Sequence, residues 1–311
     1  MERGPVHNEG VATFGGTTTV RESAVGSGAT VTVTTAPGAG ARHDEPRRKA
    51  DIGIITVLAV EANAVRLALG LRRENAGGLA FDLGEVDLRS GRPARIAATR
   101  ALAQGQRSTV IAFDNLRRHH DPDVVVLVGI GGAIQPKTGI GDVVVATRVV
   151  YYDLRKELPQ QTRHRGEEKE APAAVGHAVN SFFTDHGEPA ELTITDPAGV
   201  RRDTRVFSGL IGSGDAVIAD ADSEIVAYLS RFNDKILAVD MEAGGLSQAC
   251  HEHSAAAGRS QNWVVVRGIS DNADPGKNDD HQAVAAWHAA TVVHRALPYL
   301  IGLGGTATSR T

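Results

Sequence analysis

Cysteine is almost missing from this 311-residue chain: Cys250 stands alone, so no internal disulfide can form and no cysteine spacing of the metal-binding kind exists. A reducing, cytoplasmic setting fits that. Basic stripes are lacking too. The net charge is -4 and the lysines and arginines are spread along the chain, without the concentrated cationic track that follows a phosphate backbone, so a nucleic-acid partner is not expected. Long apolar runs are missing as well. The start, Met1-Glu2-Arg3-Gly4-Pro5, develops no apolar core of the ~7–15 residues a secretory signal needs. No run approaches the ~18 apolar residues of a membrane span, so neither export nor insertion is expected. There is no internal repeat.

Several chemical signatures are absent or incomplete. Gly129-Ile130-Gly131-Gly132 lacks the G-x-G-x-x-G spacing, and no G-x-x-x-x-G-K occurs, which argues against a dinucleotide cofactor or a P-loop. Ile211 stands where the first glycine of a G-x-S-x-G elbow would precede Ser213, which argues against a serine hydrolase. His251 and His253 lie two apart on a predicted helix and face different sides, so no metal site is expected. His119 and His120 read as solvated.

What remains is a globular α/β pattern. Residues 1–50 are rich in Gly, Thr, Ala and Ser and close in a charged cluster, too poor in bulky apolar surface to offset the cost of ordering. They read as a disordered tail, with an edge-adding arm at Thr30–Thr35 as the alternative. Residues 51–303 alternate apolar strands with helices, and 304–311 read as a flexible end. Predicted strands cover 52–58, a hairpin-like pair at 80–88 and 94–102, then 123–132, 142–152, 206–214, 236–239 and a last strand from Val264. Predicted helices cover 61–71, 106–119, 173–183, 243–253 and 282–303, and the polar interval 154–170 reads as a surface loop. The alternation predicts a single three-layer αβα domain around a mixed, mostly parallel sheet.

Acids recur where these strands end. Val264-Val265-Val266 leads through Arg267-Gly268-Ile269 to Ser270-Asp271, and ligands of open α/β sheets bind outside the strands' carboxyl ends. Turn capping by Ser270 and Asp271 is the plainer alternative. Ile236-Leu237-Ala238-Val239 ends in Asp240-Met241-Glu242, around the only internal methionine. Burying carboxylates costs several kcal/mol unless partners are supplied, so such acids bind something. Two uses are open: Glu242 starting a helix, or Glu242 accepting hydrogen bonds from a diol above the flexible Met241. Glu61 stands at the junction of the first strand and its helix.

Taken together these stretches resemble the nucleoside phosphorylase and nucleosidase superfamily, and within it the methylthioadenosine/S-adenosylhomocysteine nucleosidases. The matching segments run in the family's order: Ile52–Ile55 with Glu61, Val128–Gly132, Gly141–Val145 with Tyr152-Asp153, Gly209–Ala216, Ala238–Ala243 and Val264–Asp274. The resemblance implies that Asp271 is the general acid that protonates the departing purine and that Glu61 orients the attacking water. It implies that Glu242 accepts the ribose diol and that Met241 lies beneath the sugar. Ser270, Gly129, Gly131 and Ser213 belong to matched segments around the pocket; Val217 takes the place of the family's base-stacking aromatic, which leaves the base contact to Ile218, Phe207 or another region. A glycosidic bond breaks with positive charge growing on the sugar and negative charge on the base, so carboxylates and a proton donor suit the reaction.

Leu127 and the interval Thr56–Val60 carry no cation where phosphorylases of the superfamily hold phosphate-binding arginines. Water is therefore the expected nucleophile, with a phosphorylase or a weakly catalytic nucleoside sensor as alternatives. The resemblance implies a small-molecule purine nucleoside as substrate, no cofactor and a homodimer.

Overall fold

The computed structural model describes residues 49–88, 92–218, 220, 223–272 and 281–303. Of the expected tails at 1–50 and 304–311, residues 1–48 and 304–311 lie outside the described residues, as do the Thr30–Thr35 arm and Asp274, while Ala50 is buried and its N–H donates to His120 O at 2.8 Å. The elements in chain order are β1 (Ile52–Thr56), α1 (Ala59–Ala68), β2 (Arg72–Ala76), β3 (Leu79–Val86), β4 (Ala94–Arg100), α2 (Gln106–His120), β5 (Val124–Ala133) and β6 (Val143–Tyr151). They continue as β7 (Arg155–Leu158), β8 (Gln161–His164), β9 (Glu167–Glu170), α3 (Ala173–His186), β10 (Ala190–Thr195), β11 (Arg201–Ser213) and α4 (Glu224–Phe232). The chain closes with β12 (Ile236–Asp240), α5 (Ala243–Ala257), β13 (Asn262–Asp271) and α6 (Gln282–Leu300).

One mixed sheet of eleven strands runs β10-β11-β6-β13-β5-β1-β4-β3-β2, with β9 on β6 and β12 bridging β11 and β5. Its central strands, β4-β1-β5-β13, pair in parallel, as β6-β11-β12 also do, while β13 and β6 join antiparallel. Because β12 touches both β11 and β5, the five strands β11, β6, β13, β5 and β12 close on themselves. Helices α1, α3 and α6 pack together, and α2 packs on α5, giving the expected αβα layers. The continuous apolar runs of β1, β5 and β13 are buried throughout or nearly so, as strands covered on both faces require. Among the described residues no helix is long and apolar enough to cross a membrane.

Two expectations need correction. The interval 154–170 is not a structureless loop: β7 and β8 form a polar hairpin, and β9 extends the sheet from β6. Its alternation of polar residues carries no burial signal, so pairing decides it. His120 is not solvated either, being 5% exposed with its ring edge-on to Phe81 at 4.6 Å. Besides β7, β8 and β9, three further elements had no counterpart in the predicted set, β2, β10 and α4.

Candidate active site

A cleft of about 210 Å³ opens at the carboxyl ends of β1, β5, β12 and β13, where the sheet rule puts ligands. Its walls include Glu61, Gly131, Val217, Ile218, Met241, Glu242, Ser270 and Asp271, eight of the ten residues singled out from the sequence. The other two lie behind the wall. Ser213 is buried, and its Oγ accepts from Gly244 N at 2.9 Å and from Gln106 Nε2 at 3.0 Å. Gly129 leaves room for its neighbours: a methyl there would stand 2.2 Å from Arg267 Nη1 and 2.4 Å from Glu61 Oε1.

Glu61 is carried into the cleft by the first turn of α1. Its Oε2 accepts from Val57 N and Leu58 N, both at 2.8 Å, and its Oε1 accepts from Ile130 N at 2.9 Å. A carboxylate offers about four acceptor positions, so three backbone donors leave one on Oε1 for a ligand. Burial would make such an acid costly; these bonds offset the cost and fix its orientation.

Asp240 turns β12 into α5. Its Oδ1 accepts from Glu242 N at 3.3 Å and Ala243 N at 3.1 Å, capping the helix start. The same carboxylate receives Arg267 Nε at 2.9 Å and Nη2 at 2.6 Å, and Arg267 Nη2 also reaches Glu242 Oε2 at 2.9 Å. Arg267 is fully buried on β13. Burial alone would pull its pKa down, but Asp240, Glu242 and Glu61 outweigh that and hold it above the ordinary arginine value. Glu242 moves the other way from a surface glutamate: burial pushes its carboxyl up, opposed by Arg267 and reinforced by Asp240. Its other oxygen, Oε1, accepts from Gly105 N at 3.1 Å, which ties the start of α2 to the cleft.

Ser270 Oγ lies 2.9 Å from Asp271 Oδ2, positioned to donate to it, and both residues are buried. The remaining wall is looser. Val217 is 56% exposed, and the loop carrying it is tied by Tyr152 Oη donating to Ala216 O at 3.5 Å and by Asp215 N donating to Asp153. Gln104 and Gln282 complete the mouth, and none of the described lining residues is a lysine or arginine. Arg267 is the site group that sequence reasoning passed over, while Asp240 was read as an acid at a strand end without a role of its own. A single arginine inside an otherwise apolar strand run was the available signal.

The fold and cleft thus define an α/β protein with carboxylates gathered at its sheet's carboxyl ends. The family model described as Phosphorylase superfamily matches residues 84–298, and the chain belongs to that superfamily. Among curated relatives it is similar to the ATP nucleosidase Cap17 of Escherichia coli (strain KTE188), 28% identical over 262 residues, covering 77% of this chain and 49% of that protein. The chain therefore spans about half the length of the curated relatives it matches.

Among solved structures it is similar in fold to two 5'-methylthioadenosine/S-adenosylhomocysteine nucleosidases. The Neisseria meningitidis one, in complex with methylthio-immucillin-A, has 22% identity and a TM-score of 0.59 over 79% of this chain and 97% of that one. The Colwellia psychrerythraea one, in complex with adenine, has 20% identity and a TM-score of 0.62 over 82% and 97%. A futalosine hydrolase of Helicobacter pylori is alike at 19% identity and a TM-score of 0.59 over 82% and 97%.

Proposed function

We propose that this chain hydrolyses the N-glycosidic bond of a purine nucleoside, releasing free base and the sugar. The observation that carries the reading is the meeting of Glu61, Glu242 and Asp271 from three separate chain segments at one cleft, with Met241 beside them. The activities named for the relatives, on adenosine-type molecules and futalosine, support it.

Each carboxyl has a distinct part. Water donates one proton to the open position on Glu61 Oε1 while its oxygen forms the new bond to the sugar's anomeric carbon. The carbon–nitrogen bond breaks, its electron pair moves into the base, and Asp271 delivers a proton to a ring nitrogen. Asp271 ends deprotonated and Glu61 protonated, so one proton relay to solvent resets the pair. Glu242 accepts the sugar diol on Oε1 and Oε2 as positive charge grows on the ring, with Arg267 keeping it ionised. Ser270 holds the Asp271 carboxyl in orientation. Preorganised charge of this kind supplies most of the acceleration in such sites.

Water rather than phosphate is the proposed nucleophile, because Leu127 is buried in the core and no cation lines the cleft among the described residues. A homodimer in the reducing cytoplasm is part of the same reading, checked by light scattering on the purified chain. The decisive experiment measures free base released from adenosine, methylthioadenosine and inosine in phosphate-free buffer, then with phosphate added. Release without phosphate that is lost in Asp271→Asn supports hydrolysis. Release that requires phosphate replaces it with phosphorolysis.

A further inference from the structure

Gln106 takes no part in the proposed chemistry, yet both ends of its side-chain amide are bonded. It opens α2, is half-buried, and lies outside the lining of the acid cleft. Its Nε2 donates to Ser213 Oγ at 3.0 Å, at the end of β11, and its Oε1 accepts from Gly245 N at 2.5 Å, in the first turn of α5.

The start of α5 explains why an amide is suited to this place. The leading N–H groups of a helix have no partner within it and are satisfied from outside. Ala243 N donates to Asp240, Gly244 N to Ser213 Oγ at 2.9 Å, and Gly245 N to Gln106. Only the last of these three acceptors comes from α2. An amide supplies at once an acceptor for Gly245 and a donor for Ser213. The two glycines give it room: a methyl on Gly245 would stand 2.5 Å from Gln106 O, and one on Gly244 would stand 3.1 Å from Gln106 Oε1.

On the other side of Gln106 is the carboxylate proposed to take the sugar diol. Gly105 begins α2 with φ of 101°, a backbone conformation suited to glycine, and no side-chain hydrogen bond caps this start among the described residues. Its N–H instead donates to Glu242 Oε1 at 3.1 Å, and Gln104, one residue earlier, lines the acid cleft. Thr109 and Ser108 close the start on itself, through Gly105 O and Ala103 N. Gln106, by contrast, fastens it to β11 and α5. Where Gly105 N sits, and with it Glu242 Oε1, therefore follows from where Gln106 is held.

We infer that Gln106 is a positioning residue: by clamping the start of α2 to β11 and α5 it holds Gly105 N against Glu242 and so sets the carboxylate that receives the sugar diol. This rests on the proposed role of Glu242, and the experiment separates the two.

The test measures base release by the full chain from adenosine and from 2'-deoxyadenosine, which lacks half of the diol, with wild type, Gln106→Leu and Gln106→Glu. In Gln106→Leu, kcat/KM for adenosine should fall about tenfold and that for 2'-deoxyadenosine far less, the size expected when one hydrogen bond to a charged group is lost. The acid limb of the adenosine profile should also move to higher pH. Gly105 N favours the Glu242 anion, while Arg267, Asp240 and Glu61, the other charges acting on it, are untouched. Gln106→Glu should recover most of the loss on the alkaline plateau, since a carboxylate still accepts from Gly245 N and the Ser213 hydroxyl can turn to donate to it. Should Gln106→Leu not fold, Gln106→Asn, one methylene too short for both bonds, gives the same comparison. No change, or an equal fall for both substrates with an unmoved acid limb, overturns the inference. If wild type releases base from neither compound, the hydrolysis reading fails by itself and amide exchange of Gly105 decides the clamp. Faster exchange in Gln106→Leu, with the amides of β5 unchanged, upholds it, and equal exchange rejects it.

Discussion

The acid wall of the cleft and the loop wall at Ala216–Ile218 are built on different terms. On the acid wall each of Glu61, Asp240 and Glu242 has oxygens bonded to backbone N–H groups or to Arg267, and all sit within a few residues of strand ends. On the loop wall one long hydroxyl bond and one backbone bond carry the segment, and Val217 is largely exposed. The difference teaches that the sheet holds its carboxylates in a fixed arrangement while the loop is held by few bonds, the division expected when a loop rides on a rigid scaffold.

That contrast breaks first at Arg267. Arg267→Met leaves Asp240 and Glu242 buried together without a counter-charge, and the expected loss of stability is ~3–5 kcal/mol by urea unfolding. A loss below ~1 kcal/mol would mean the acid wall is solvated after all. Asp271→Asn sharpens the contrast from the other side. Base release should fall ~10²–10⁴-fold while the thermal midpoint stays near that of the wild type, because only proton delivery is removed. A parallel collapse of stability and rate would make Asp271 structural.

Gly129→Ala comes next, forcing a methyl between Arg267 and Glu61, with ~1–3 kcal/mol of destabilisation and a drop in base release in the same variant. Glu242 then gives two opposed pH effects. Its carboxyl is raised by burial, so activity that needs the anion should fall with acid at a pH above the ordinary glutamate range. Its folded form binds the proton more tightly than the unfolded chain does. Its contribution to stability is therefore complete below the unfolded glutamate value and declines as pH rises through the folded value. Unfolding free energies of wild type and Glu242→Gln across that window should converge at low pH. The smallest effect belongs to the loop: Val217→Phe should shift KM among purine substrates and leave the thermal midpoint where it was. A midpoint shift comparable to that of Gly129→Ala would erase the distinction between the walls.

How much of this was legible in the sequence follows from where each signal lives. Glu61, Asp240, Glu242 and Asp271 were visible because each follows an apolar run, and strand ends can be read from burial periodicity alone. Arg267 was hidden by that same logic: it lies inside the run, and only the convergence of β12 on β13 shows that two acids await it. Gly129 and Ser213 were assigned to the pocket from their loops. Ser213 sits behind the wall because α2 and α5 meet over it, and Gly129 because Arg267 and Glu61 fill the space above it, which no local pattern encodes. The polar hairpin at 155–164 carries no apolar alternation, and His120 is buried only because β3 brings Phe81 to it.

The closed ring of β11, β6, β13, β5 and β12 has a dynamic consequence. A strand in an open sheet can fray from one side, but each member of this ring is held by two neighbours, so loosening one requires loosening the others. Asp240, Asp271 and the glycines of β5 therefore keep time together. Their amides should exchange with solvent as one slow group, later than those of the β2–β3 edge, and the spacing of the acids should persist until the whole domain opens.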